Sequence, residues 1–122
     1  MELKYQKQNK LMVCIYEMIG TAILMAMYNW SADTHDRIAS YALTLFIIIL
    51  LFGPISGAHF NPAITIAVMI QEGRANWKSN LHLGAFITAA QFIGAISGTL
   101  IVLMSTKFDY HKNLTEKNVT YP

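Results

Sequence analysis

The amino-acid sequence predicts an all-α membrane protein of three transmembrane helices plus one re-entrant half-helix. Three observations carry that reading. Of 122 residues, 54% are hydrophobic and only 13% charged, with a mean hydropathy of +0.37; a typical soluble domain carries about 25% charged residues. The charges collect in short segments between three apolar stretches. The central stretch, Ile38 to Gln71, runs 34 residues without a formal charge, a length that fits neither one membrane crossing nor two. The same composition excludes other classes. Disorder needs low hydrophobicity and high charge. The single cysteine, Cys14, rules out a disulfide scaffold. A net charge of +2, scattered along the chain, is no nucleic-acid footprint.

Residues 1–10 hold Lys4, Lys7 and Lys10 against Glu2 and read as a polar arm. Residues 11–104 form one membrane domain. A hydrocarbon core ~30 Å thick needs ~20 helical residues at 1.5 Å each. The first helix, about 11–30, fits one crossing and is apolar through Tyr28 apart from Glu17 and Thr21. A signal anchor would look similar, but the apolar core is long for a secretory peptide and no A-x-A-like site follows. Asn29 to Arg37 is a polar connection. The central 34 residues would make a helix of ~51 Å, whereas two crossings and a turn need ~40 residues. Gly53-Pro54, Gly57 and Asn61-Pro62 break the stretch, since proline lacks the amide and disfavours helical geometry in its predecessor. The arithmetic gives a crossing at 38–52, a loop, and a half-helix at 62–71 that spans about half the membrane. Glu72 to Asn80 is a second polar connection, 81–104 a third crossing, and 105–122 a polar tail.

A loop at membrane depth survives only when it is buried in protein or faces a water-filled cavity, so this one points to a pore or binding site. The plainer alternative is a surface loop between an ordinary span and an interfacial helix. Asn61-Pro62-Ala63 is a helix start. Asn is a preferred N-cap whose side-chain oxygen accepts an orphan amide, and proline at the first helical position loses no hydrogen bond. The Asn61 amide NH₂ then remains as an outward donor. The helix N-terminus adds about half a positive charge, and the two together favour a water or hydroxyl oxygen and oppose cations and protons.

The stretch Ser56-Gly57-Ala58-His59-Phe60-Asn61-Pro62-Ala63-Ile64-Thr65 resembles the first Asn-Pro-Ala loop of the aquaporin (major intrinsic protein) family. Glu17-Met18-Ile19-Gly20-Thr21 is similar to the family's first-helix motif, and Ala90-Gln91-Phe92-Ile93-Gly94-Ala95-Ile96-Ser97-Gly98 to its third-helix motif. The resemblance covers residues 11 to about 105 and implies a channel for passive transport of water or small neutral solutes, with no cofactor. The family builds its pore from two inverted halves. This chain has room for one, with no second Asn-Pro-Ala and no filter arginine after it. The resemblance therefore implies the N-terminal half, completed by a second half (another copy or a separate chain) within a higher oligomer. In a pair of identical copies Ile64 would stand where the second half carries the arginine. The alternative is a non-conducting membrane subunit with a structural or regulatory role.

The resemblance also assigns tasks to single residues. Glu17 lies mid-span, where an ionised carboxylate costs ~2.5–3.5 kcal/mol on the insertion scale, and would support the loop backbone by hydrogen bonding. Gln91 would do similar work from the third helix. His59 would line the approach to the pore; an ordinary hydrogen-bonded loop histidine is the alternative. Tyr41, 20 positions before Asn61, matches a second-helix filter position, although tyrosine near a span end also suits the interfacial belt. Ala90, Gly94 and Gly98 form a small-residue seam for close helix packing. The four histidines are too dispersed for a metal site, and no nucleophile–base pair surrounds Glu17, so an enzyme is not expected. Asn29, Asn113 and Asn118 head glycosylation tripeptides. With a cytoplasmic N-terminus, five Lys/Arg (Lys4, Lys7, Lys10, Arg74, Lys78) lie inside against four outside, a weak orientation signal for a multi-pass protein in the lipid bilayer.

Overall fold

The computed structural model describes residues 9–32, 35–72 and 77–119. The N-terminal arm through residue 8 and connection residues 33–34 and 73–76 lie outside the described residues. So do the side chains from 108 onward, the Asn113 and Asn118 tripeptides among them. Helix α1 spans Lys10–Trp30, α2 Arg37–Ser56, α3 Pro62–Gln71 and α4 Trp77–Val119, and no strand occurs among the described residues. Helices α1 and α2 and the Asn80–Lys107 part of α4 are long and apolar enough to cross a membrane, with mean hydropathies of 1.8, 2.3 and 1.9.

Helix α1 starts where the Asn9 side chain accepts the Leu11 amide at 3.1 Å, relieving one of the first-turn donors that have no partner within the helix. Helix α2 corrects the expected end at Phe52: it continues through Gly53 and Pro54 to Ser56. The reason is local. The residue before a proline is pushed out of the helical region partly through its Cβ, and Gly53 has none. Pro54 costs one bond near the helix end, where few remain to be lost. The real stop is Gly57, in the left-handed region at φ 91°, whose amide bonds the Gly53 carbonyl at 3.1 Å, a glycine C-terminal cap.

Helix α4 also departs from the expected 81–104 crossing and polar tail. It is one helix of 43 residues, ~64 Å at the standard rise. Residues 105–119 contain no glycine or proline, and propagating an existing helix is far easier than nucleating one. Polarity there marks the exit from the hydrocarbon, not the end of the helix.

Helices α1 and α4 run parallel and touch through the glycine seam. A Cβ on Gly94 would fall against the Met18 carbonyl, and one on Gly98 against the Ala22 carbonyl. The constant offset of the two pairs defines the register. Near the far end Asn29 Nδ2 donates to Thr99 Oγ1 at 3.1 Å. On the other side of α1, Leu24, Ile48 and Phe60 form the small apolar core that joins α1, α2 and the loop. Most large apolar side chains point outward instead, Phe46, Leu50 and Ile66 among them, while Glu17, Ser56, Thr65 and Gln91 are fully buried. Such a polar interior under an apolar surface suits a chain whose solvent is lipid.

The seam generates a prediction. Gly94→Leu forces α1 and α4 apart and costs about 1–3 kcal/mol, the range for overpacking, lowering the thermal unfolding midpoint in detergent followed by circular dichroism. Gly53→Ala, whose added Cβ meets nothing nearer than Ala58 Cβ at 3.9 Å, restores only the restriction before Pro54 and lowers the midpoint by less than Gly94→Leu in the same measurement.

Candidate functional site

The loop between α2 and α3 is five residues of unusual backbone. Gly57, Ala58 and Phe60 have φ of 91°, 53° and 46°, and non-glycine residues rarely adopt such values. A chain turning this tightly cannot pair its amides in a helix or sheet, yet buried amides need partners. Glu17 supplies them. Its Oε1 accepts the His59 amide at 2.9 Å and the Ser56 hydroxyl at 2.8 Å. Its Oε2 accepts the Phe60 amide at 2.7 Å and Gln91 Nε2 at 2.9 Å. Four donors thus meet the four lone-pair sites of one carboxylate, which acts purely as an acceptor.

Secondary contacts brace this cradle. Ser56 Oγ accepts the Ala58 amide at 3.1 Å, so it relays the carboxylate to a third loop amide. Thr65, one turn into α3, donates its hydroxyl to the Asn61 carbonyl at 3.2 Å and accepts Gln91 Nε2 at 3.1 Å. His59 Nδ1 lies 3.2 Å from the same hydroxyl. Gln91 Oε1 is buried with no hydrogen-bond partner in the structure. The Phe60 ring fills the space over Gly20, where a Cβ would collide with it; Phe52 meets it edge-on with centroids 6.2 Å apart.

The structure brings Glu17, Gln91, His59 and the Asn61-Pro62-Ala63 start of α3 together. Asn61 caps α3 with Oδ1 on the Ala63 amide at 2.9 Å, and both Asn61 and Ala63 are exposed. Pro62 is the first helical residue. His59 is buried and held by Thr65. Tyr41 stands apart from the polar network. It packs beside the Leu24–Ile48–Phe60 core, 5.9 Å edge-on from Tyr28, whose other neighbour is the Arg37 guanidinium 4.1 Å from the ring centroid. Gly94 and Gly98 belong to the helix seam. Sequence reasoning quoted Ser56, Phe60, Thr65 and Gly20 only as members of the resembling motifs and gave them no task of their own. A signal for two of them existed: Gly20 follows Glu17 by one helical turn, and Thr65 follows the Asn61 cap by four residues, so each pair shares a helix face. No group of three metal-ligating side chains occurs among the described residues.

The model of the family described as Major intrinsic protein matches residues 8–121. The chain belongs to the major intrinsic protein family. It is an integral, multi-pass membrane protein of that family. Among its relatives, Aquaglyceroporin AqpS of Rhizobium meliloti is 35% identical over 100 residues, covering 72% of this chain and 41% of that protein. Aquaporin-5 of Rattus norvegicus is 33% identical over 75 residues, covering 62% and 26%. The lens fiber major intrinsic protein of Lithobates pipiens is 30% identical over 94 residues, covering 75% and 34%. The chain thus spans less than half the length of these curated relatives. No solved structure matches it.

Glu17→Gln replaces two acceptor oxygens by one and turns an NH₂ toward donors. Hydrogen bonds to a charged group contribute about 1.5–3 kcal/mol each, so this variant loses about 3 kcal/mol. Amide hydrogen exchange at His59 and Phe60 accelerates accordingly, while the amides in the middle of α2 keep their protection. Unchanged exchange at 59 and 60 would refute the cradle.

Proposed function

We propose that this chain is one half of a membrane pore for passive passage of water or small neutral solutes, completed by a complementary half. The observation that carries the proposal is the capped N-terminus of α3. A helix of ten residues is ~15 Å long, half of a ~30 Å hydrocarbon core, so its start lies near mid-membrane when its end reaches the surface. The dipole makes that start positive. Asn61 uses its oxygen on the Ala63 amide and keeps its NH₂ as a donor beside it. A passing water or hydroxyl oxygen finds a donor there, and a cation or proton finds an electrostatic barrier. In this reading Pro62 and Ala63 keep the helix start narrow, His59 lines the approach and Tyr41 narrows the far end.

The second half is either another, inverted copy or a separate chain, and the pair joins a higher oligomer. Two outward faces support that expectation. Only 11% of the apolar window of α2 is buried, and Ile64, Ile66 and Ile70 of α3 are exposed. In a half-membrane helix an apolar, lipid-length surface is not needed, so that face suits protein contact. A pore made of two identical copies would carry Ile64 where the second half carries the filter arginine and discriminate less against cations.

Stopped-flow shrinkage of proteoliposomes tests the proposal. The chain alone raises water permeability above the lipid background where inverted copies pair, and stays at the background where the second half is a separate chain. Co-reconstitution with the C-terminal half of a family member raises it several-fold. Asn61→Asp keeps the cap but replaces the donor by an anion, so water passage falls and a sodium leak appears. Background permeability in every combination would overturn the channel reading and favour a non-conducting subunit.

A further inference from the structure

The seam between α1 and α4 is closed at Gly94 and Gly98 and opens from Gly94 toward the N-terminal ends. At mid-span Gly94 lets α4 touch the Met18 backbone. Toward the N-terminal ends of both helices the contact widens into an apolar crevice of about 450 Å³, with Met18 and Ile93 at its floor, Cys14 and Phe86 in its walls, and Lys10 and His82 at its mouth. The lining is almost wholly apolar and contains no carboxylate. His82 donates Nδ1 to the Lys78 backbone carbonyl at 2.7 Å; Lys78 lies outside the lining, one turn before His82 on the same face of α4 and nearer the membrane face.

Depth selects the occupant. From Lys10 to Met18 is ~12 Å along α1, and from His82 to Ile93 ~16 Å along α4. Half of a ~30 Å hydrocarbon core is ~15 Å, so the crevice is one leaflet deep. Its mouth lies at headgroup level, where lysine side chains reach the interface. The crevice is separate from the Asn61 site, because Glu17 and Gln91 turn the other way, into the loop.

We propose that this crevice binds an anionic phospholipid, one acyl chain lying between α1 and α4 and the phosphate held by Lys10 and Lys78. The crevice does not need the pore: it belongs to the α1–α4 pair alone. Basic side chains at an anionic membrane surface contribute about fivefold in affinity each. A lipid seated here also fills space that the pinched seam leaves open, and so holds the splayed helix ends at a fixed angle.

The test uses the full chain in vesicles of mixed phosphatidylcholine and phosphatidylglycerol, extracted in mild detergent, with co-purifying lipid quantified by mass spectrometry. The wild-type chain retains phosphatidylglycerol enriched about tenfold over the bilayer ratio. Lys10→Gln with Lys78→Gln brings the retained lipid back to the bilayer ratio, and Ala89→Trp, which fills the crevice, reduces retention of both lipids. Retention at the bilayer ratio by the wild-type chain overturns the proposal, as does enrichment that survives the double lysine substitution. Oxidative Cys14–Cys14 cross-linking between copies in pure phosphatidylcholine overturns it too, because a second copy then covers the crevice. Water permeability enters none of these readouts, so failure here is distinct from failure of the channel reading.

Discussion

One carboxylate inside the membrane organises this molecule. An ionised side chain at mid-bilayer costs ~2.5–3.5 kcal/mol even on the most lenient scale, and a loop of left-handed residues leaves amides that lipid cannot satisfy. Each feature alone would be destabilising. Together they are compatible, because the Glu17 oxygens accept the His59 and Phe60 amides and the Ser56 hydroxyl, and Gln91 closes the fourth position. The strained turn at Ala58 and Phe60 persists because the carboxylate over-determines it.

From that cradle the rest of the architecture follows. The loop has to lie against α1, so Gly20 clears a slot for the Phe60 ring, and Leu24 and Ile48 close over it. Gln91 has to reach Glu17 from α4, so α4 must come close, and Gly94 and Gly98 permit backbone-to-backbone approach. Thr65 ties the first turn of α3 to the same glutamine, fixing where Asn61 sits. The cap at the start of α3 is thereby held from two helices and from the loop itself, with its exposed side left open.

The polar interior and the apolar exterior have one cause. In lipid, exposed leucine and phenylalanine cost nothing, whereas hydrogen-bonding groups must find partners inside. Among the described residues the fully buried larger side chains are accordingly Glu17, Ser56, Thr65 and Gln91, with Val13 the one apolar member. The exposed flank of α2 and the isoleucines of α3 suit the complementary half proposed above, and the α1–α4 crevice suits the proposed lipid.

By itself the sequence determined the spans and the half-helix, because hydrophobic length and helix starts are local properties. The Asn61-Pro62 start is written in adjacent residues, and 34 uncharged positions can be measured against a membrane without knowing any contact. The sequence misplaced the end of α2, where Gly53 relieves the restriction that Pro54 normally imposes, and it read the polar stretch after Met104 as a tail when α4 continues as helix to Val119. Only the tertiary structure decided which donors meet Glu17, since they lie 39, 42, 43 and 74 residues away. It also decided that His59 is buried against Thr65 and that Tyr41 meets Tyr28 edge-on outside the polar network. Pairings across such separations depend on how three helices cross, and no periodicity along one helix records that.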